Sequence, residues 1–193
     1  SEMYISTLCV LREFALPEFQ RGNVIPNPVA KSNKLRVSAS SCVKFVQQIR
    51  ICFIKSRKAI ELSDILRKLH EKFWNPNDHV VMNYGLHPNS TTQVDIKNAL
   101  SGHEYKFHNR LGQKMLLWRE TSAQHFMNPG GVYTPDKLNM PCSPLKKEDY
   151  LVSNEKNLDI RGLLEDLNVP VLETWAISSE RYDAHSNGEC SHL

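Results

Sequence analysis

The chain has 193 residues, with 24 Lys or Arg, 21 Asp or Glu and a formal net charge of +3. That length suits one domain with a buried core. The near-balanced charge, with Lys146-Lys147 followed at once by Glu148-Asp149, argues against a nucleic-acid partner, and no apolar run reaches the about 18 residues of a membrane span.

The sequence starts at Ser1 without a secretory-leader pattern and stops at Leu193, and both ends read as cut from a longer protein. Cys9, Cys42, Cys52, Cys142 and Cys190 are widely spaced and form no CxxC pair, which argues against a structural zinc site; no metal or cofactor is expected. An odd number leaves at least one cysteine unpaired within the chain. Asn89-Ser90-Thr91 is an N-glycosylation acceptor triplet and permits a secretory location.

Residues 1–48 read as an irregular segment of loops and one short strand, given Gly22, Pro26, Pro28 and the polar Lys31–Lys34. A regular domain is expected over 49–193. Ile49-Arg-Ile-Cys-Phe-Ile54 reads as its first strand. Ser63 offers an N-cap for a helix whose apolar face is Ile65, Leu66, Leu69 and Phe73. Asn75-Pro76-Asn77-Asp78 breaks that helix, and His79–Met82 reads as a second strand. Thr91–Leu100 is expected to be helical, with Gly102 as its stop. Lys114–Trp118 reads as a third strand, followed over 126–148 by a long excursion rich in Pro and Gly. Leu158–Leu167 patterns as an amphipathic helix ending at Asn168, and Val169–Trp175 as a fourth strand. Strands alternating with helices imply parallel pairing through crossovers. The expected architecture is therefore α/β, an open three-layer parallel sheet with helices on both faces.

In such sheets ligands bind beyond the carboxyl ends of the strands. After the second strand come Asn83, Gly85 and His87. Asn83 either donates its amide to a developing oxyanion, worth about 3–4 kcal/mol where such a donor has been removed, or caps a turn. His87, before Pro88, reads equally as an exposed loop histidine. After the third strand, Trp118 and Arg119 either stack on and clamp a hydroxyl-rich ligand, or form a core tryptophan beside an Arg119–Glu120 surface pair. The fourth strand leads to Asp183, His185, Glu189 and His192 on a Ser/Asn/Gly-rich tail. An acid and a histidine three apart suit the acid–base half of a hydrolase triad, in which imidazole takes a proton from a nucleophile and a carboxylate holds its tautomer.

Several segments, in order, resemble the PC-esterase group of the SGNH/GDSL-like hydrolase superfamily, whose plant members are the trichome birefringence-like polysaccharide O-acetyltransferases. His79–His87 is similar to that group's strand-then-Asn-x-Gly-x-His/Trp segment. Leu117–Phe126 with Gly130-Gly131 is similar to its Arg-Thr-x-Ser-Pro-x-His-Phe segment. Arg181-Tyr-Asp-Ala-His185 resembles its Arg-x-Asp-Gly/Ala-His element, and Glu189-Cys-Ser-His192 the start of its Asp-Cys-x-His-Trp box.

The resemblance implies a carbohydrate O-acyl (O-acetyl) transferase or esterase that works through a serine ester, in the Golgi or elsewhere in the secretory pathway, on a carbohydrate substrate and an acyl donor. It makes His192 the general base, Glu189 its orienting acid and Asn83 an oxyanion donor. Arg119, His125, Trp118 and His87 become pocket residues, and Asp183 and His185 supports of the catalytic loop. Three departures stand out. No Gly-Asp-Ser block occurs in the sequence, Glu189 replaces the group's Asp, and the Trp-Cys-Leu-Pro-Gly continuation is absent. The missing nucleophile supports a second expectation, a catalytically degenerate glycan- or protein-binding domain of the same fold.

Overall fold

The computed structural model describes residues 23–25, 37–44, 50–56, 59–72, 74–83, 92–102, 107–134, 141–185 and 190. The chain divides into two compact units, Ser1–Asn75 and Pro76–Leu193.

The first unit carries an antiparallel sheet, ordered β1 (Asn23–Ile25), β2 (Val37–Lys44) and β3 (Arg50–Ser56). Cys42 and Cys52 are register partners, and Cys52 is disulfide-bonded. The run expected to open the parallel sheet is thus β3, an antiparallel partner of β2, and regular structure begins before residue 49. An apolar run marks a strand, not which way its neighbour points. The link between β2 and β3 is too short for the crossover that a parallel pair needs. A 3-10 turn at Ala59–Glu61 leads into helix α1 (Leu62–Lys72). Ser63 therefore lies inside the helix rather than capping it. On its exposed side Arg67 pairs with Asp64 and Glu71, while Ile65 and Leu66 are buried.

The second unit is built on a small parallel sheet, ordered β4 (Val80–Met82), β5 (Leu116–Arg119) and β6 (Val171–Leu172). Helix α2 (Thr92–Ser101) joins β4 to β5, and helix α3 (Tyr150–Asp166) joins β5 to β6. This is a mixed α/β fold. Leu116 and Trp118 of the central strand are buried while Leu117 and Arg119 are half-buried, the period of two that a pleated strand imposes. Ile96, Ala99 and Leu100 of α2 and Asn157, Ile160 and Leu164 of α3 are buried at helical spacing. Beyond α3, Asn168 takes a positive φ of 51°, and Lys114 Nζ donates to the carbonyls of Leu167 and Asn168. That arrangement satisfies carbonyls left over at the helix end. Among the described residues no helix is long and apolar enough to cross a membrane.

Two elements differ from expectation. Helix α3 starts at Tyr150, not Leu158, because the inward face of its first turns is polar and carries no apolar period. The fourth strand is only Val171–Leu172, and Trp175 starts a short helix, α4 (Trp175–Ser179). The cause lies across the sheet: Glu120 Oε2 accepts from the amides of Thr174 and Trp175, at 3.1 and 3.0 Å. This draws the chain into a helical turn.

Candidate functional site

The carboxyl end of β5 runs into an irregular segment, Glu120–Phe126, in which only Ser122 is not buried. Buried backbone without a neighbouring strand needs other partners. Asn157 supplies them to Thr121, accepting from its amide at 2.8 Å and donating to its carbonyl at 2.9 Å. Ser178 Oγ accepts from Ala123 N at 2.9 Å and donates to Trp175 O at 2.9 Å. Gln124 Oε1 accepts from Tyr133 N, and Phe126 N donates to Gly131 O.

Asn83, one residue past β4, is exposed and bridges to this segment. Its Nδ2 donates to Arg119 O at 2.8 Å and Thr121 Oγ1 at 3.1 Å. The amide nitrogen ties two strand ends together; the turn that Asn83 was expected to cap lies outside the described residues. An oxyanion at this point would compete with two protein acceptors. Arg119 is half-buried and donates to Ser122 Oγ at 2.8 Å. Glu120 is not its partner. The Glu120 carboxylate is buried and receives Arg161 at 3.0 Å, and Arg161 also pairs with Glu173. Trp118 is 2 % exposed and belongs to the core, so its face is not offered to a sugar.

His125 is fully buried, which excludes direct contact with a ligand in this state. Its Nδ1 lies 2.6 Å from Nε2 of His185, and its Nε2 lies 3.0 Å from Ser179 O. Burial, foremost, holds the His125 imidazole below its ordinary pKa. The charge of His185 acts in the same direction, while the Ser179 carbonyl and Asp183 oppose it. Asp183 is exposed, and the Arg181 guanidinium beside it at 3.0 Å holds its carboxyl below the usual range.

The tail is fastened to the same place. His125 N donates to Cys190 O at 2.9 Å, and Cys190 is bonded to Cys142. The parallel sheet thus gathers Asn83, Arg119, His125, Asp183 and His185 into the one unit that also holds Cys190. His87, Glu189 and His192 lie outside the described residues. Among the described residues no group of three or more His, Cys, Asp or Glu side chains is arranged to hold a metal ion.

Sequence reasoning placed Glu120 only in a surface pair with Arg119 and missed Asn157, Arg161 and Ser178. The available signals were an acidic residue directly after the apolar strand Leu116–Trp118 and before the mostly uncharged Thr121–Phe126, and an asparagine at helical spacing with Ile160 and Leu164. No family model, no curated protein and no solved structure matches this chain.

Proposed function

We propose that the chain belongs to a carbohydrate O-acyl (O-acetyl) transferase or esterase of the SGNH three-layer type, acting in the secretory pathway. The observation that carries this reading is the contact of Asn83 with Arg119 at the carboxyl ends of a parallel sheet, where such folds bind ligands, with Cys190 held by His125 on the segment that follows β5. The Cys142–Cys190 bond also favours an oxidising compartment.

In this reading a serine oxygen attacks the acyl carbon of the donor. The donor's alcohol departs with the proton that His192, oriented by Glu189, took from the serine. A sugar hydroxyl or water, deprotonated by His192, then displaces the serine and restores it. The serine must come from a Gly-Asp-Ser block outside these residues. Asn83 must release one of its two protein acceptors to serve the oxyanion.

The test is acetate release from acetylated polysaccharide, and acetyl transfer to an oligosaccharide, by the full-length protein and its His192→Ala variant. Loss of turnover with folding retained supports the reading, and unchanged turnover refutes it. The absence of Gly-Asp-Ser and the engaged Asn83 amide favour one second reading, a degenerate domain that binds glycan or protein. Glycan retention without turnover or fluorophosphonate labelling would identify that case.

A further inference from the structure

Four chain segments meet on His125. Its amide donates to Cys190 O and its carbonyl accepts from Ser143 N, each at 2.9 Å. Its two ring nitrogens face Ser179 O and His185 Nε2. Cys142, next to Ser143, is bonded to Cys190, with Cα atoms 5.4 Å apart. One disulfide and two main-chain hydrogen bonds therefore close a small circuit through residue 125.

The ring's protonation follows from its partners. A carbonyl only accepts, so His125 Nε2 carries the hydrogen toward Ser179. An imidazolium at this fully buried position would face a carbonyl and a second imidazole, with no hydrogen-bonded carboxylate to offset its desolvation. The ring is neutral, Nδ1 bears a lone pair, and His185 Nε2–H donates to it. His185 follows the 3-10 turn Tyr182–Ala184 and stands beside Asp183 and Arg181.

We propose that His125 is a positioning residue: a neutral Nε2–H imidazole that holds the end of α4, the His185 turn, Cys190 and the Ser143 loop in fixed relation past β5. Any effect on turnover rests on the acyl-transfer reading; the positioning itself does not. This role differs from that of a ligand-facing pocket histidine, because its partners are all protein groups and none of its surface is exposed.

The first measurement is a long-range imidazole nitrogen–proton spectrum of the chain at pH 7. The expected result is a His125 ring protonated at Nε2 alone. A ring protonated at Nδ1 alone, or at both nitrogens, overturns the proposal. The second is amide exchange at Ser143 in His125→Phe, which keeps a ring and loses both nitrogens, and in His125→Gln, which keeps a donor and an acceptor. Exchange at least about tenfold faster in the Phe variant, the consequence of losing the two ring hydrogen bonds, with protection recovered in the Gln variant, supports the proposal. Exchange equal to wild type in the Phe variant overturns it. The expected spectrum together with no acetyl-ester turnover by the full-length protein would sink the acyl-transfer reading and leave the positioning role standing. Turnover without that spectrum would do the reverse.

Discussion

Arg161, in the C-terminal half of α3, places its guanidinium 3.0 Å from the Glu120 carboxylate, which lies just past β5 and 41 residues earlier in the chain. The same carboxylate accepts from the amides of Thr174 and Trp175. Thr174 Oγ1 returns a hydrogen bond to Glu120 O at 2.8 Å. One acidic side chain thereby joins β5, α3 and the start of α4. A carboxylate this deeply buried is retained only where its lone pairs are taken up, and here they are.

Glu120→Ala should cost about 2–4 kcal/mol of stability, because it takes the acceptor from the buried Trp175 amide and the half-buried Thr174 amide, while Arg161 keeps Glu173 and Glu165. Glu120→Gln keeps one acceptor oxygen and should cost about half as much. Arg161→Ala should cost about 1 kcal/mol, because its side chain is 35 % exposed and water takes over part of its role. Urea denaturation midpoints order the three variants. Equal midpoints for Glu120→Ala and Arg161→Ala would show that the amide contacts contribute nothing.

Asn157 acts as a one-residue substitute for a neighbouring strand, since it satisfies both backbone groups of Thr121. Asn157→Leu fits the helix but leaves a buried donor and a buried acceptor, and should cost about 2–4 kcal/mol. Asn157→Asp keeps the acceptor toward Thr121 N but sets a carboxylate oxygen against Thr121 O. Its loss should be largest near neutral pH and shrink on acidification, as the protonated oxygen becomes a donor. A loss independent of pH would contradict this account.

The parts of the fold written in apolar periodicity were legible in the sequence. The Met82 and Trp118 strands, α2 and the buried end of α3 follow from runs and 3.6-residue spacing. What escaped is held by polar groups acting at a distance. The first half of α3 has an inward face of Asn157 and other polar residues, so no amphipathic pattern announces it. The fourth strand gives way to α4 because Glu120, far off in sequence, takes the amides of Thr174 and Trp175. The direction of β3 depends on β2, a partner its own residues do not encode. At the site, the pairing of His125 with His185 joins residues 60 apart. Neither residue's neighbours hint that one imidazole is buried to hold the other.

Two glycines should answer oppositely to alanine. Gly131 has φ +64°, and a Cβ there would lie 2.3 Å from Leu145 Cδ2 and 2.8 Å from Gln124 O, which is backbone and cannot step aside. Gly131→Ala should destabilise by about 2–3 kcal/mol. Gly162 is exposed within α3, and a Cβ there meets nothing within 4 Å. Gly162→Ala should stabilise by about 0.5–1 kcal/mol, the helix-propensity difference. Thermal melts of the two variants should move in opposite directions. A lowered midpoint for Gly162→Ala would show that this face of α3 is covered.

The buried His125 gives the fold a dependence on acid whose sign is fixed. Its pKa in the folded chain is depressed below the ordinary 6.5, chiefly by burial, while the unfolded chain titrates near the ordinary value. Between the two values the unfolded state binds more protons, so stability falls as pH drops from about 6.5 to the folded pKa, and above about 6.5 this histidine adds no slope. Asp183, held ionised by Arg181, moderates the effect by favouring the imidazolium, and the charge of His185 strengthens it. His125→Gln removes the titrating group but keeps a donor for Ser179 O. The difference in stability between wild type and His125→Gln should therefore be constant above about pH 6.5 and shift steadily against wild type below it. Denaturation midpoints of both proteins between pH 5 and pH 8 test this. A difference that does not change with pH would mean that burial does not depress the His125 pKa, and one that shifts in favour of wild type on acidification would mean that the folded chain favours the imidazolium, to which His185 cannot donate.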